Sequence, residues 1–272
     1  MTAQLSPSLC CIPTIEKSMR SPDWNLPGEG EAYASCGAWN YEGCLNKEEH
    51  PCGLDGRPAG QVFVRKFKQS CNRRDCPKCY EGWAWLEAEK AAYRLKAYKS
   101  GYAKHIVLSC PKNTPIDCDY KVLRKTAYKI ARKAGIKGGL MIYHPYRFKP
   151  ERWSPHFHIV GYGLIKGAAT IFKDTGWLVR NLGIRKTLAG TVKYQLSHCG
   201  VHKSFHAITW WGELSYNKMK IPKMPDKPKP TCPLCGAVRV PLQYLGDRPP
   251  PDKAGEYWLD PEGWFEKHGI FG

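Results

Sequence analysis

The pattern of apolar and polar positions divides the chain into stretches of different character. Residues 1–35 are rich in Pro, Ser and Gly with little periodicity, and they read as a poorly ordered lead. Residues 36–80 set six cysteines among turn-forming residues around one short β-like run, Val62-Phe63-Val64, and read as a small zinc-binding module. From Glu81 to residue 217 helical and β-like patterns alternate. Trp85, Ala88, Ala92 and Leu95 share one face of a helix predicted over 81–99. Leu123, Ala127, Ile130 and Ala134 do the same over 119–134. Leu188, Val192, Leu196 and Cys199 mark a third helix over 188–199, with Gly200 placed to end it. Lys104–Ser109, Leu140–His144, His156–Tyr162, Trp177–Arg180 and Phe205–Trp210 have β character. Residues 218–230 have the composition of a linker, and residues 231–272 form a small C-terminal piece with a Cys knuckle and an aromatic tail. There is no internal repeat. The pattern predicts an α+β fold, a mainly antiparallel sheet with helices packed on it.

Charge sharpens this picture. The formal net charge is +18, and residues 120–212 carry 17 Lys and Arg against two acids, Glu151 and Asp174, so this window supplies +15 of the total. A solvated surface normally mixes signs, so the one-sided window points to a polyanionic partner, nucleic acid ahead of membrane. No apolar run approaches 18 residues, and no apolar stretch follows a basic start, which leads us to expect no membrane span, no secretory signal and a cytoplasmic location. The 13 cysteines are odd in number and closely paired, so reduced thiolates holding metal are expected rather than disulfides.

The candidate chemistry begins at His156-Phe157-His158. Alternation on a strand sends both imidazoles to one face, about 7 Å apart, where they can share a divalent ion, while Phe157 and Ile159 face a core. A His-apolar-His triplet alone arises readily by chance. Two neighbours add weight. Leu140, Ile142 and His144 share a face of the preceding strand, and a hairpin through 145–155 would set His144 beside the pair. On the 188–199 helix, Thr191, Tyr194 and His198 project opposite the apolar stripe, as residues lining a cleft do. With carboxylates scarce, a metal here relies on imidazoles, and His144 or His198 is the third ligand. These parts suit transfer of a phosphoryl group from DNA to the Tyr194 phenol, with the metal or His198 assisting its deprotonation.

Cys71-x4-Cys76-x2-Cys79 has the spacing of a zinc half-site. Its missing ligand comes from Cys36, Cys44, His50 or Cys52, with Cys44 preferred. Cys232-Pro-Leu-Cys235-Gly236 is a second knuckle; only His268 follows it as a ligand, so its partners lie earlier in the chain or it binds nothing. Arg73, Arg74, Arg147, Lys149, Arg152 and Lys193 are candidate phosphate contacts, and Tyr146, Phe148 and Trp153 candidates for stacking on unpaired bases.

Three motifs in order resemble the HUH endonuclease superfamily, in particular the archaeal plasmid and virus initiators of rolling-circle replication. His105-Ile-Val-Leu-Ser109-Cys-Pro111 resembles the first motif, a strand of unassigned chemical role. Ser154-Pro-His156-Phe-His158-Ile-Val-Gly161 resembles the second, which binds metal, and Tyr194-Gln-Leu-Ser-His198 the third, which bears the nucleophile. The likeness covers roughly residues 70–216. It implies an RRM- or ferredoxin-like sheet, a catalytic Mg or Mn ion, structural Zn, and single-stranded or hairpin origin DNA as substrate. It also implies a single-tyrosine endonuclease and strand transferase working through a 5′-phosphotyrosine, with Tyr194 and His198 catalytic. Many plasmid initiators carry lysine where this chain has Ser197, and two-tyrosine initiators a second tyrosine where it has His198. Related single-tyrosine transposases place the third metal ligand four residues past the tyrosine, favouring His198, whereas hairpin geometry favours His144. No Walker A sequence is present, so strand separation would fall to a host helicase or to the DNA itself. A transposase or relaxase of the same superfamily, and a non-catalytic zinc-bearing nucleic-acid-binding protein, are the alternatives.

Overall fold

The computed structural model describes residues 21–50, 60–98, 101–147, 152–250 and 257–268. Its elements are β1 (Trp39–Cys44), β2 (Val62–Lys68), α1 (Tyr80–Ala97), β3 (Lys104–Ser109), α2 (Tyr120–Lys133), β4 (Ile136–Arg147), β5 (Arg152–Gly163), α3 (Ala168–Thr175), β6 (Leu178–Ile184), α4 (Leu188–Leu196), β7 (Ile208–Gly212), β8 (Val240–Tyr244), β9 (Tyr257–Asp260) and β10 (Trp264–Glu266). They form an α+β protein with two antiparallel five-stranded sheets, ordered β6-β3-β5-β4-β7 and β10-β8-β1-β2-β9. The chain divides into two compact units, one of residues 1–27 and 91–220, the other of residues 28–90 and 221–272. In sequence, residues 91–220 of the larger unit are therefore inserted in the smaller, and residues 28–90 of the smaller separate them from residues 1–27.

In the larger unit β5 lies at the centre of the sheet, between β3 and β4. Its apolar alternation fixes the layer beneath: Phe157 and Ile159 are wholly buried with Ile106, Leu108, Met141, Tyr143, Val179 and Trp211. Ala127, Ile130, Ala131 and Ala134 of α2, and Ile171 of α3, close this core. Asp119 caps α2, its carboxylate accepting from the Lys121 amide at 2.7 Å. Residues of the expected disordered lead take part as well: Trp24 is buried against Tyr120, Tyr143 and Phe205. Residues 1–20 lie outside the described residues.

The β4–β5 hairpin runs from Ile136↔Gly163 to Arg147↔Arg152 and pairs His144 directly with His156 and Ile142 with His158. Its register shifts between His144 and Tyr146, at Pro145, which has no amide proton to give the ladder. The irregularity returns Tyr146 to the core face, where its hydroxyl bonds the backbone of Ser21 and Trp24. The expectation that Tyr146 stacks on bases is thereby overturned. Trp153 packs against the same core and its indole donates to the Thr114 carbonyl at 2.9 Å, so it too is engaged in packing. On α1 the apolar face holds Ala84, Ala88, Ala91, Ala92 and Leu95, while Trp85, expected there, is exposed. Gly200 does not end α4, which stops at Leu196; a side chain at 200 would meet the Trp24 ring and Pro145.

In the smaller unit the strands after residue 231 are not a separate piece. β8 and β10 extend one side of the β1–β2 pair, and β9 the other. Val62 and Val64 point to a core with Leu242, Trp258 and Trp264, whereas Phe63 points the opposite way, toward Cys44, Cys232 and Leu259. Residues 218–230 form no helix or strand.

The main sheet's dependence on one buried ring is measurable. Phe157→Ala should lower stability by about 3–5 kcal/mol in urea unfolding, through lost burial and the cavity left behind.

Candidate functional site

The pleat that buries Phe157 raises His156 and His158 on the other face of β5, and the hairpin register brings His144 to them. One nitrogen of each of the three lies within 4.8 Å of the others, an arrangement able to hold a metal ion. The rings are 5.2 Å apart for His144–His156, 4.3 Å for His144–His158 and 5.1 Å for His156–His158.

The hydrogen bonds around these rings show which nitrogens are free. His156 Nδ1 donates to the Ser154 carbonyl at 2.7 Å, leaving Nε2 as the lone pair. His144 is buried, and its Nε2 has no hydrogen-bond partner. A buried, orphaned imidazole nitrogen beside two other imidazoles is what a metal ligand looks like without its metal. No Asp or Glu among the described residues belongs to the group.

Burial lowers the proton affinity of every ring here. It pulls His156 down to about 4 and His158 to about 2, and holds His144 well below its ordinary value. Positive neighbours act in the same direction, Arg147 on His156 and Arg185 on His105. At neutral pH the imidazoles are uncharged and able to ligate.

His105, in a strand whose chemical role the sequence left unassigned, is a member of this network. Its Nε2 is 2.7 Å from His158 Nδ1, and Arg185 Nη2 is 3.3 Å from its Nδ1. A guanidinium only donates, so this pairing places the His105 proton on Nε2 and makes His158 Nδ1 the acceptor. The neutral His158 then carries its own proton on Nε2. Ligation through His158 Nε2 requires the reverse tautomer, at the expense of the longer Arg185 bond. The strand alternation of His105, Val107 and Ser109 was the only signal of this in the sequence.

Tyr194 stands on α4 with 66 % of its surface exposed. Its ring is 4.7 Å from that of His198, which is 4.6 Å from that of His144. His198 thus adjoins the three-histidine group without belonging to it, and of the two candidates for third ligand His144 is the one inside. Burial lowers the His198 pKa, partly offset by a hydrogen bond to the Tyr194 backbone.

The candidate DNA contacts divide. Arg147 and Arg152 are exposed and sit directly opposite each other near the hairpin tip, a like-charge pair that an anion would relieve. Lys193 is half-buried beside Tyr194 on α4. Lys149 and Phe148 lie outside the described residues. Arg73 is engaged by the Asp75 carboxylate and lies over the Tyr33 ring, so it serves the module's own structure.

Two further clusters lie in the smaller unit. Cys36, Cys71, Cys76 and Cys79 converge, with Cys36 Sγ 3.8, 3.5 and 2.9 Å from the other three sulfurs. A tetrahedral zinc thiolate site has sulfurs about 3.8 Å apart, so this group is able to hold a structural metal such as zinc. The fourth member of the group is Cys36. Cys44, the residue expected there, belongs instead to a second group with His50, Cys232 and Cys235. The reason is topological: Cys44 is the last residue of β1, on the face where Phe63 and the Cys232 knuckle gather. His268 is exposed and not part of it, and Cys52 lies outside the described residues.

No helix among the described residues is long and apolar enough to cross a membrane. No protein-family model matches the chain, and no curated protein or solved structure aligns with it.

Two outcomes follow from the histidine network. Because the folded-state pKa values are depressed, metal-free protein should be fully stable above about pH 6.5 and lose stability as the pH falls toward about 4; a pH series of thermal melts that stays flat across that window would contradict the burial. Arg185→Met should tighten manganese binding about 3- to 10-fold in a calorimetric titration, by releasing the His158 tautomer that ligation needs.

Proposed function

We propose that this protein is a metal-dependent endonuclease of the HUH type, which nicks single-stranded DNA through Tyr194 as an initiator of rolling-circle replication does. The observation that carries the reading is the juxtaposition of three neutral imidazoles within 4.8 Å of one another and an exposed tyrosine packed on an adjoining fourth, His198. An antiparallel sheet with the His pair on its central strand is the scaffold the resemblance calls for.

His144, His156 and His158 would hold the ion. When bound, it supplies Lewis-acid polarisation of the scissile phosphate. Imidazole donors without a carboxylate suit manganese better than magnesium, which demands oxygen ligands. Tyr194 is exposed enough to meet a phosphate on a polymer. Its oxygen bonds to phosphorus as the bond to the 3′ oxygen breaks, leaving a 5′-phosphotyrosine and a free 3′-hydroxyl. A phenol needs a base near neutral pH, and His198, neutral and against the Tyr194 ring, takes the proton and can return it to the leaving oxygen. Arg147, Arg152 and Lys193 hold the backbone of the strand. The bond energy is retained in the phosphotyrosine for religation. The substrate is an unpaired or hairpin origin in the host cytoplasm, with a host helicase opening the duplex.

The test incubates the full chain with labelled single-stranded origin candidates and manganese and looks for label covalently bound to protein. Tyr194→Phe should abolish it, and His156→Ala with His158→Ala should reduce it by at least about a thousandfold, while DNA affinity stays within about threefold. Absence of covalent label across origins and metals would sink the reading, and unchanged function in Tyr194→Phe would favour a non-catalytic nucleic-acid-binding module.

A further inference from the structure

The second cysteine–histidine cluster joins parts of the chain that are far apart in sequence. Cys232 Sγ is 3.4 Å from His50 Nε2 across 182 residues, and Cys44 Sγ is 3.6 Å from Cys235 Sγ across 191. All four ligand atoms lie within 4.8 Å of one another. Residues 91–220, most of the larger unit, lie in sequence between His50 and Cys232. We propose that Cys44, His50, Cys232 and Cys235 bind a zinc ion of their own, and that this ion clasps the C-terminal segment onto the β1–β2 pair.

The geometry argues for a metal over the alternatives. A sulfur separation of 3.6 Å is close to the roughly 3.8 Å edge of a tetrahedral zinc site and far from the roughly 2.05 Å of a disulfide. His50 is buried, and its Nδ1 donates to the Gln61 carbonyl at 2.7 Å, which fixes the tautomer with the Nε2 lone pair turned to the thiols. Cys232 and Cys235 are posed by their own turn: the Gly236 amide donates to the Cys232 carbonyl at 2.9 Å and the Cys232 amide to the Ala237 carbonyl at 2.7 Å. Gly236 takes a φ of +76°, open to glycine and strained for other residues.

The clasp answers a shortage of core. On this side of the small sheet the buried apolar cover is Phe63 and Leu259, with Leu234 and Ala237 packed against them. So little apolar surface does not fix a terminal segment unaided, and small modules of this kind rely on metals or disulfides. Tying residues this distant also removes a large loop-closure entropy from the unfolded chain.

The measurement is zinc content of the full chain in a His156→Ala, His158→Ala background, so that only thiolate sites are counted. That protein should hold about two zinc ions, and Cys232→Ser with Cys235→Ser should leave about one. Should that pair fail to fold, His50→Cys should keep both ions and, with cobalt in place of zinc, change one of two thiolate-site spectra from three sulfurs and a nitrogen to four sulfurs. Limited proteolysis should cut the segment after residue 230 at least tenfold faster in the Cys232→Ser, Cys235→Ser protein, with the inserted unit unaffected. A single zinc ion in the background protein, or a cobalt spectrum indifferent to His50→Cys, overturns the site. Equal proteolysis with and without the Cys pair overturns the clasp.

Discussion

A β-strand has two faces and one residue spacing, and the main sheet of this protein uses that constraint on β5 to couple its core to its candidate chemistry. Phe157 and Ile159 are driven out of water on one face, each contributing about 1.5–3 kcal/mol of burial. The same pleat sends His156 and His158 to the other. Their face is set by the core beneath them, and their rings are then oriented by hydrogen bonds to the Ser154 carbonyl and to His105. β4 adds His144 by register and β3 adds His105 as a hydrogen-bonding support, so the imidazoles stand on three hydrogen-bonded strands of one rigid layer.

The smaller unit solves a different problem. Its sheet gathers strands from both sides of a long insertion, and its apolar clusters are small. Four-ligand groups of cysteine and histidine stand where a larger domain would have more side chains to pack. Cys36 with Cys71, Cys76 and Cys79 ties residues just before β1 to the turns after β2. Within this cluster the thiols share protons unevenly. The hydrogen bond to Cys79 is the main reason Cys36 is pushed up to about 12, while Cys79, despite the opposing effect of burial, is drawn down to about 6. Four such sulfurs ionise together only around a cation.

What was legible in the sequence follows from the range of each interaction. Periodicity revealed β3, the β4–β5 hairpin, α2 and α4, because each declares its buried face within a dozen residues. The partnership of His144 with the His pair was legible for the same reason, since a hairpin sets its own register. Long-range pairings were not. Nothing near Cys44 in sequence separates the Cys71 half-site from the Cys232 knuckle; that choice is made by where β1 ends. β8, β9 and β10 are not legible within the C-terminal piece because each is a short strand whose partner lies on another strand of the sheet: β8 on β1, β9 on β2 and β10 on β8. Tyr146, expected in the hairpin loop, lies in β4, which runs on to Arg147, and the irregularity at Pro145 turns it to the core.

The charge pattern and the histidine cluster are two consequences of one field. A region with 17 Lys and Arg and two acids raises the cost of adding a proton anywhere within it. Burial does most of the work of keeping His156 and His105 neutral, and Arg147 and Arg185 reinforce it. Carboxylates among the imidazoles would reverse this by favouring imidazolium, which cannot ligate a metal. Lacking them, the site keeps its lone pairs free and leaves positive charge uncompensated around a cluster that would itself gain charge on binding an ion. Mobile counterions or a bound polyanion can balance such an excess. A nucleic-acid backbone would supply such charge along its length, so the substrate we propose suits the composition of the whole window and not the histidines alone.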